Sequence, residues 1–144
     1  MTITQMRQNR DCLVACLATV LQITWEQAAK LLMHFDLKSP LTSLLFSTHW
    51  WLMFTLWRHG IKYRLHTTFE PEQWVAGKTI VLVHAKGNFL QRLISKHWIV
   101  YAGQDYGTTA FYWGDSDIAV RYLNSKAREL FEAWPQVAIT IQEN

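Results

Sequence analysis

Two cysteines in 144 residues are too few for the disulfide framework of a small secreted domain, and this scarcity points to a reducing compartment. Runs of lysine or arginine that would make a phosphate-binding stripe are also missing. The net charge of +3 and pI near 9.0 are only mildly basic, so nucleic acid is a poor partner. The opening MTITQMRQNRDC is polar and has no apolar segment behind a charged start. It does not read as a signal peptide, and a cytoplasmic location is expected. Internal repeats, low-complexity tracts and linkers are absent as well, so residues 1–144 read as one domain with its own core.

Long hydrophobic spans are lacking too. The most apolar stretch, LLFSTHWWLMFTLW (44–57), is 14 residues long and carries Ser47, His49 and two threonines. A membrane span needs about 20 residues, so no integral membrane segment is expected. Thr48, Thr55 and His59 fall at helical spacing and form one polar stripe. The stretch therefore reads as a central core helix, with an interfacial or partner-binding helix as the alternative.

What is present is material for a packed core: half the residues are hydrophobic, and eight are tryptophan. Residues 11–22 read as a helix behind Asp11 as N-cap. Thr24 and Gln27 form a capping box for a second helix over 25–35, with Trp25, Ala28, Ala29 and Leu32 on one face. The apolar third helix follows Pro40 and ends at Gly60 in the C′ position. The pattern then changes. IKYRLHT (61–67) alternates like a half-buried strand, PEQWVAG is a short helical turn, and TIVLVHA (79–85) is a β-branched strand. KGNFLQRLISK (86–96) reads as a loop. HWIVYAG (97–103) and TTAFYWG (108–114) read as paired strands turning around 104–107. SKARELFEAW (125–134) is a last amphipathic helix, and VAITI (137–141) closes as a strand. Helices first and a mostly sequential antiparallel sheet afterwards make an α+β fold.

Both cysteines lie in DCLVACLATVL. The C-x3-C spacing has no third cysteine and no histidine in the same helix, so no metal site and no cofactor is expected. An internal disulfide is also poor, because Cα–Cβ bonds at i and i+4 run parallel on a helix. Cys16, flanked by Val14, Ala15 and Leu17, reads as a small buried hydrophobe. Cys12 differs: it falls in the first helical turn, where unpaired N–H groups and the helix dipole favour a thiolate. Asp11 opposes that charge unless its carboxylate is turned into a cap.

A thiolate nucleophile needs an imidazole base and a group that orients it. Among six histidines, His97 is best placed, at the head of the HWIV strand. The next strand ends in WGDSD. In an antiparallel pair the start of one strand lies beside the end of the next, so Asp115 becomes a neighbour of His97, with Asp117 as its competitor. His84, at the end of a strand, is the weaker alternative base. His34, His49, His59 and His66 read as helix-surface or alternate-face residues.

DCLVACLATVL, a helical segment, and then HWIVYAG with YWGDS resemble the C39-type cysteine peptidases of the papain-like superfamily, which process double-glycine leader peptides. The resemblance implies a papain-like fold with N-terminal helices packed on an antiparallel sheet. It implies Cys12 as nucleophile, His97 as base and then acid, and Asp115 as orienting group. It also implies a glutamine that joins the Cys12 N–H in the oxyanion hole. In the family that glutamine lies six residues before the cysteine, where this chain has Met6. Gln5 matches the family lead-in with a one-residue bulge, and Gln8 lies closer to the cysteine. Leu13 stands where the family usually has glycine. With no ATPase or exporter segment in the sequence, the resemblance implies a stand-alone bacterial C39-like protein acting on a peptide or protein. Two other readings stand beside it: an impaired domain that only grips a peptide or partner protein, and a related glutamine deamidase or transglutaminase-like acyl transfer.

Overall fold

The computed structural model describes residues 2–7, 11–32, 48–83, 97–132 and 136–142. Among the described residues three helices come first: α1 (Cys12–Leu21), α2 (Trp25–Leu31) and α3 (His49–Arg58). Then follow β1 (Tyr63–His66), a 3-10 turn (Pro71–Gln73), β2 (Thr79–Val83), β3 (His97–Asp105), β4 (Thr108–Tyr112), β5 (Val120–Leu123), α4 (Asn124–Phe131) and β6 (Ala138–Ile141). The strands form one six-stranded sheet in the order β1-β6-β2-β3-β4-β5. Every pairing in it is antiparallel, so the expected α+β arrangement is what the chain adopts.

The contiguous apolar runs TIVLV and HWIVY are explained by a sheet covered on both faces. Ile80, Leu82, Trp98 and Val100 point to one side, where they pack against Leu13, Val14, Leu17 and Val20 of α1. Val81, Val83, Ile99 and Tyr101 point to the other side and meet Phe111, Phe69, Trp74 and Phe131. The sheet is thus the middle layer, with α1 on one side and α4 with the Phe69–Trp74 turn on the other. Edge-on ring contacts of Trp74 with Phe69 at 5.6 Å and with Tyr101 at 5.4 Å suit the aromatic quadrupole.

The helix signals act largely as read. Thr24 and Gln27 form the reciprocal capping box, and Gly60 takes φ +69 just past α3. Residues 33–35 of the expected second helix, the start of the third, His34, His84 and the 86–96 loop lie outside the described residues. Three expectations change. α3 is not a core helix all round: Leu52, Thr55 and Leu56 are buried, while Trp50, Phe54 and Trp57 face outward. Its polar stripe dissolves, since Thr48 is the N-cap, accepting the Trp51 N–H at 3.2 Å, and Thr55 is buried. The strand β5 follows the WGDSD turn where no strand was expected, and its outer residues Val120 and Leu123 are exposed.

Candidate active site

Cys12 is the first residue of α1, and the first helical hydrogen bond runs from the Ala15 N–H to the Asp11 carbonyl at 3.0 Å. The N–H groups of Cys12, Leu13 and Val14 therefore have no acceptor within the helix. Asp11 takes the N-cap position, but its side chain does not cap. The carboxylate is buried and turned backward instead. Its Oδ2 accepts the Arg7 backbone N–H at 2.8 Å and the Trp25 indole N–H at 2.7 Å. Its Oδ1 is buried without a hydrogen-bond partner among the described residues. Arg7 completes this hub, with its guanidinium over the Trp25 ring and an ion pair to Glu26.

The N-terminal segment ties α1 to the loop after β4. The Thr4 N–H donates to Thr19 Oγ1 at 2.9 Å, and the Gln22 side-chain amide pairs with both backbone groups of Thr2. On the other side, the Met6 N–H donates to the Gly114 carbonyl at 2.8 Å. Gly114 has φ +92, and a Cβ there would stand 3.1 Å from Met6 Cγ. The positive φ favours glycine at this position, and a Cβ there would have to displace the Met6 side chain by a few tenths of an ångström. Gln5 lies on the same segment and is exposed. Gln8 falls outside the described residues.

His97 opens β3, where it pairs with Val83 at the end of β2. Val100 pairs with Tyr112, and continuing that register by three residues sets His97 opposite Asp115. The β4 ladder stops at Tyr112, however, and the chain bends away. His97 Nε2 donates to the Trp113 carbonyl oxygen at 2.9 Å. A carbonyl can only accept, so Nε2 carries the proton. The Trp113 ring stacks on the imidazole, with centroids 5.4 Å apart and planes at 22°. Asp115, expected to hold the ring directly, is exposed and acts on it through charge alone. Asp117 is exposed as well.

Cys12 neighbours the imidazole and acts on its protonation. Burial pulls the His97 pKa down, and this is outweighed by a hydrogen bond with Cys12, the Cys12 charge, the Trp113 carbonyl and the Asp115 charge. The net displacement is upward from the ordinary histidine value. With Nε2 committed to Trp113, Nδ1 is the nitrogen left for the thiol. Cys16 sits one turn deeper and is 2% exposed. Burial pushes its thiol well above the ordinary value, and the charges of Cys12 and Asp11 add to that. The two cysteines therefore differ in kind, one half-exposed at an imidazole and one sealed in the core.

Two residues near this cluster were missed by sequence reasoning. Trp113 works through a backbone oxygen and a ring face, for which no sequence motif exists. Asp11 was read as a cap and is a buried tie to Arg7 and Trp25. His66, read as alternate-face, is buried and bonds Thr140 Oγ1 at 2.9 Å, which in turn meets Thr79 Oγ1 at 2.8 Å. No group of three His, Cys, Asp or Glu side chains among the described residues is placed to hold a metal ion.

No protein-family model and no curated protein matches the sequence. Solved structures do. The peptidase domain of Streptococcus ComA, a bi-functional ABC transporter involved in a quorum sensing pathway, matches with TM-score 0.69 and 18% identity, over 98% of this chain and 97% of that one. The Streptococcus mutans ComA peptidase domain with a small-molecule inhibitor matches with TM-score 0.62 and 17% identity, over 99% and 100%. The same domain without that inhibitor gives TM-score 0.59 at 17% identity. The fold is that of these peptidase domains. At such identity the likeness to the ComA domains is one of fold, and it agrees with the C39-type resemblance carried by DCLVACLATVL and HWIVYAG. Among the described residues, no single helix is long and apolar enough to cross a membrane.

Proposed function

We propose that this chain is a C39-like cysteine peptidase, one domain over 1–144, acting in the cytoplasm on a peptide or protein without a cofactor. The observation that carries this reading is a His97 ring anchored by Trp113, with the half-exposed Cys12 of the first turn of α1 near enough to raise its pKa. Fixing Nε2–H leaves Nδ1 as the unprotonated nitrogen for the Cys12 thiol, which is what nucleophilic catalysis needs.

In this mechanism His97 Nδ1 takes the Cys12 proton, giving a thiolate beside an imidazolium. The sulfur attacks the scissile carbonyl carbon, and the carbonyl π electrons move to oxygen. That oxyanion is held by the Cys12 N–H and, in the family-derived assignment, by the Gln5 side-chain amide. Collapse re-forms the carbonyl and expels the amine, which takes the proton from His97 Nδ1. A water molecule, deprotonated by His97, then attacks the thioester. The acid departs, and the thiol is restored. Trp113 orients the base, and Asp115 supports the imidazolium through charge.

A second reading draws on one observation. Met6 stands at the family's glutamine position and packs on Gly114, while Gln5 is exposed. A site short of its oxyanion donor fits a peptide-binding module. Glutamine deamidation or transglutaminase-like transfer would use the same Cys12–His97 pair. Incubation of wild type and Cys12→Ala with a peptide library, followed by mass spectrometry, separates all three. Cleaved chains in wild type alone support the peptidase. Uncleaved peptides carrying the mass gain of glutamine turned to glutamate support deamidation. Peptides retained unchanged by both proteins support the binding module and overturn the peptidase.

A further inference from the structure

Cys12 and His97 come from different layers of the fold. Cys12 opens α1 and His97 opens β3, so their separation depends on what fixes the start of α1 against the β3–β4 pair. On the sheet side the fixing point is the Trp113 carbonyl, which takes the His97 Nε2 proton. Trp113 and Gly114 lie past the end of both β4 ladders, which stop at Tyr112 toward β3 and at Phe111 toward β5. Among the described residues, then, no strand pairing holds the anchor itself. On the helix side Asp11 is 1% exposed and directly precedes Cys12, and its side chain leaves the helix end uncapped.

Two consecutive residues join these points. The Met6 N–H donates to the Gly114 carbonyl at 2.8 Å, and the Arg7 N–H donates to Asp11 Oδ2 at 2.8 Å. One acceptor stands next to the residue that anchors the base, and the other next to the nucleophile. Neighbouring Cα atoms are only about 3.8 Å apart across a planar peptide, so the link is short and stiff. Its Arg7 end is held further, because Asp11 Oδ2 also takes the Trp25 indole N–H at 2.7 Å and the Arg7 guanidinium lies over the Trp25 ring. Beside its Met6 end the packing is close: Ile3, Thr4, Cys16, Tyr112 and Gly114 line a crevice of only about 10 Å³. The bonds of Thr4 to Thr19 and of Thr2 to Gln22 tie the same segment to the later turns of α1, away from Cys12.

We infer that Met6 and Arg7 are positioning residues, whose consecutive backbone N–H groups clip the Trp113–Gly114 turn to Asp11 and so set Cys12 against His97. The catalytic meaning of the clip rests on the peptidase reading, whereas its two bonds do not. Backbone groups donate both bonds, so Met6 makes its bond whatever side chain stands at that position. The clip also bears on the imidazole. Burial, the largest influence on the His97 pKa, lowers it, and the contacts with Cys12 and Trp113, together with the Asp115 charge, overcome that. The Cys12 and Trp113 contacts both depend on the clip, so opening it lowers the His97 pKa.

Deleting single N–H groups tests it. The Asp11–Cys12 junction lets the full chain be assembled by native chemical ligation of residues 1–11 to residues 12–144. A hydroxy acid in place of Met6, Arg7 or Thr4 then turns one N–H into an ester oxygen and keeps the side chain. The Met6 and Arg7 esters are each expected to lower the His97 pKa, read by NMR. They also slow iodoacetamide alkylation of Cys12 near pH 6 by about tenfold to a hundredfold, the loss that a misplacement of about 1 Å brings. The Thr4 ester lowers the urea midpoint as much as they do and leaves both readouts as in wild type. In the recombinant chain, Gly114→Ala strains the same turn at φ +92 and is expected to lower the His97 pKa likewise, which covers a failure of the ligated chains to refold. Met6 and Arg7 esters that titrate and alkylate like wild type overturn the inference, as do a Thr4 ester that moves both readouts as far and a Gly114→Ala chain with an unaltered His97 titration. Failure of the peptidase reading looks different: Cys12 in the unmodified chain then alkylates no faster than free cysteine, and the His97 titration by itself still decides the clip.

Discussion

His97 donates its Nε2 proton to the carbonyl oxygen of Trp113 at 2.9 Å, under a stacked Trp113 ring. The contact fixes both the tautomer and the plane of the imidazole with a group that never titrates. Asp115 contributes to the same ring only through charge. Asp115→Asn is therefore expected to be mild: it lowers the His97 pKa and reduces turnover by less than about tenfold, whereas His97→Ala removes activity. NMR titration of the His97 ring protons, read with turnover, checks this. A loss on Asp115→Asn as large as that of His97→Ala would show that the carboxylate holds the ring directly.

The two thiols should behave as different chemical species. Cys12→Ala is expected to abolish turnover and to lower the His97 pKa, since the Cys12 hydrogen bond and charge both raise it. Cys16→Ala leaves turnover near wild type and costs about 1 kcal/mol of stability, the cavity term for a small buried group. Equal loss of activity in the two variants, measured with denaturant curves alongside, would contradict the distinction.

Asp11 is expected to matter for structure beside the nucleophile. Replacing it by alanine strands the Arg7 N–H and the Trp25 indole N–H, which together cost about 2–4 kcal/mol. Asp11→Asn keeps one acceptor oxygen and recovers part of that loss. The comparison is read from urea unfolding midpoints. Stability unchanged in Asp11→Ala would mean that the buried carboxylate contributes nothing net.

Stability should depend on pH in two opposite ways. Burial, then the Arg64 charge, lowers the His66 pKa against a smaller upward pull from Glu70. The unfolded chain, with a histidine pKa near 6.5, then binds the proton first as pH falls. The His66 contribution is present above about 6.5 and is lost as pH falls through the lower folded value. His97 is displaced upward, so its contribution is present below about 6.5 and is lost as pH rises through its folded value. Unfolding midpoints across pH should flatten on the acid side in His66→Gln and on the alkaline side in His97→Gln. Unaltered profiles in both variants would refute the assignment.

Much of this architecture could be read from local chemistry, and particular residues show where reading stopped. Thr24 and Gln27 announced a helix start because capping is a local event. TIVLV and HWIV announce buried strands, and antiparallel pairing by itself brings His97 near the WGDSD turn. β5 escaped because Val120–Leu123 is an edge strand with both ends exposed, so no alternation of burial is written into it. The Nε2 partner escaped because a backbone oxygen has no residue identity, and because the ladder ends at Tyr112, short of Asp115. The outward face of α3 is not legible in the sequence, because Trp50, Phe54 and Trp57 look the same there whether buried or presented.

The central claim, that Cys12 and His97 form a working nucleophile pair, is tested most directly by the rate of Cys12 alkylation with iodoacetamide near pH 6. That rate is compared with those of Cys16, free cysteine and Cys12 in a His97→Ala background. The expected result is a Cys12 rate well above both comparators, falling to that of free cysteine or below when His97 is removed. A Cys12 rate no faster than free cysteine, or one indifferent to His97→Ala, would contradict the account.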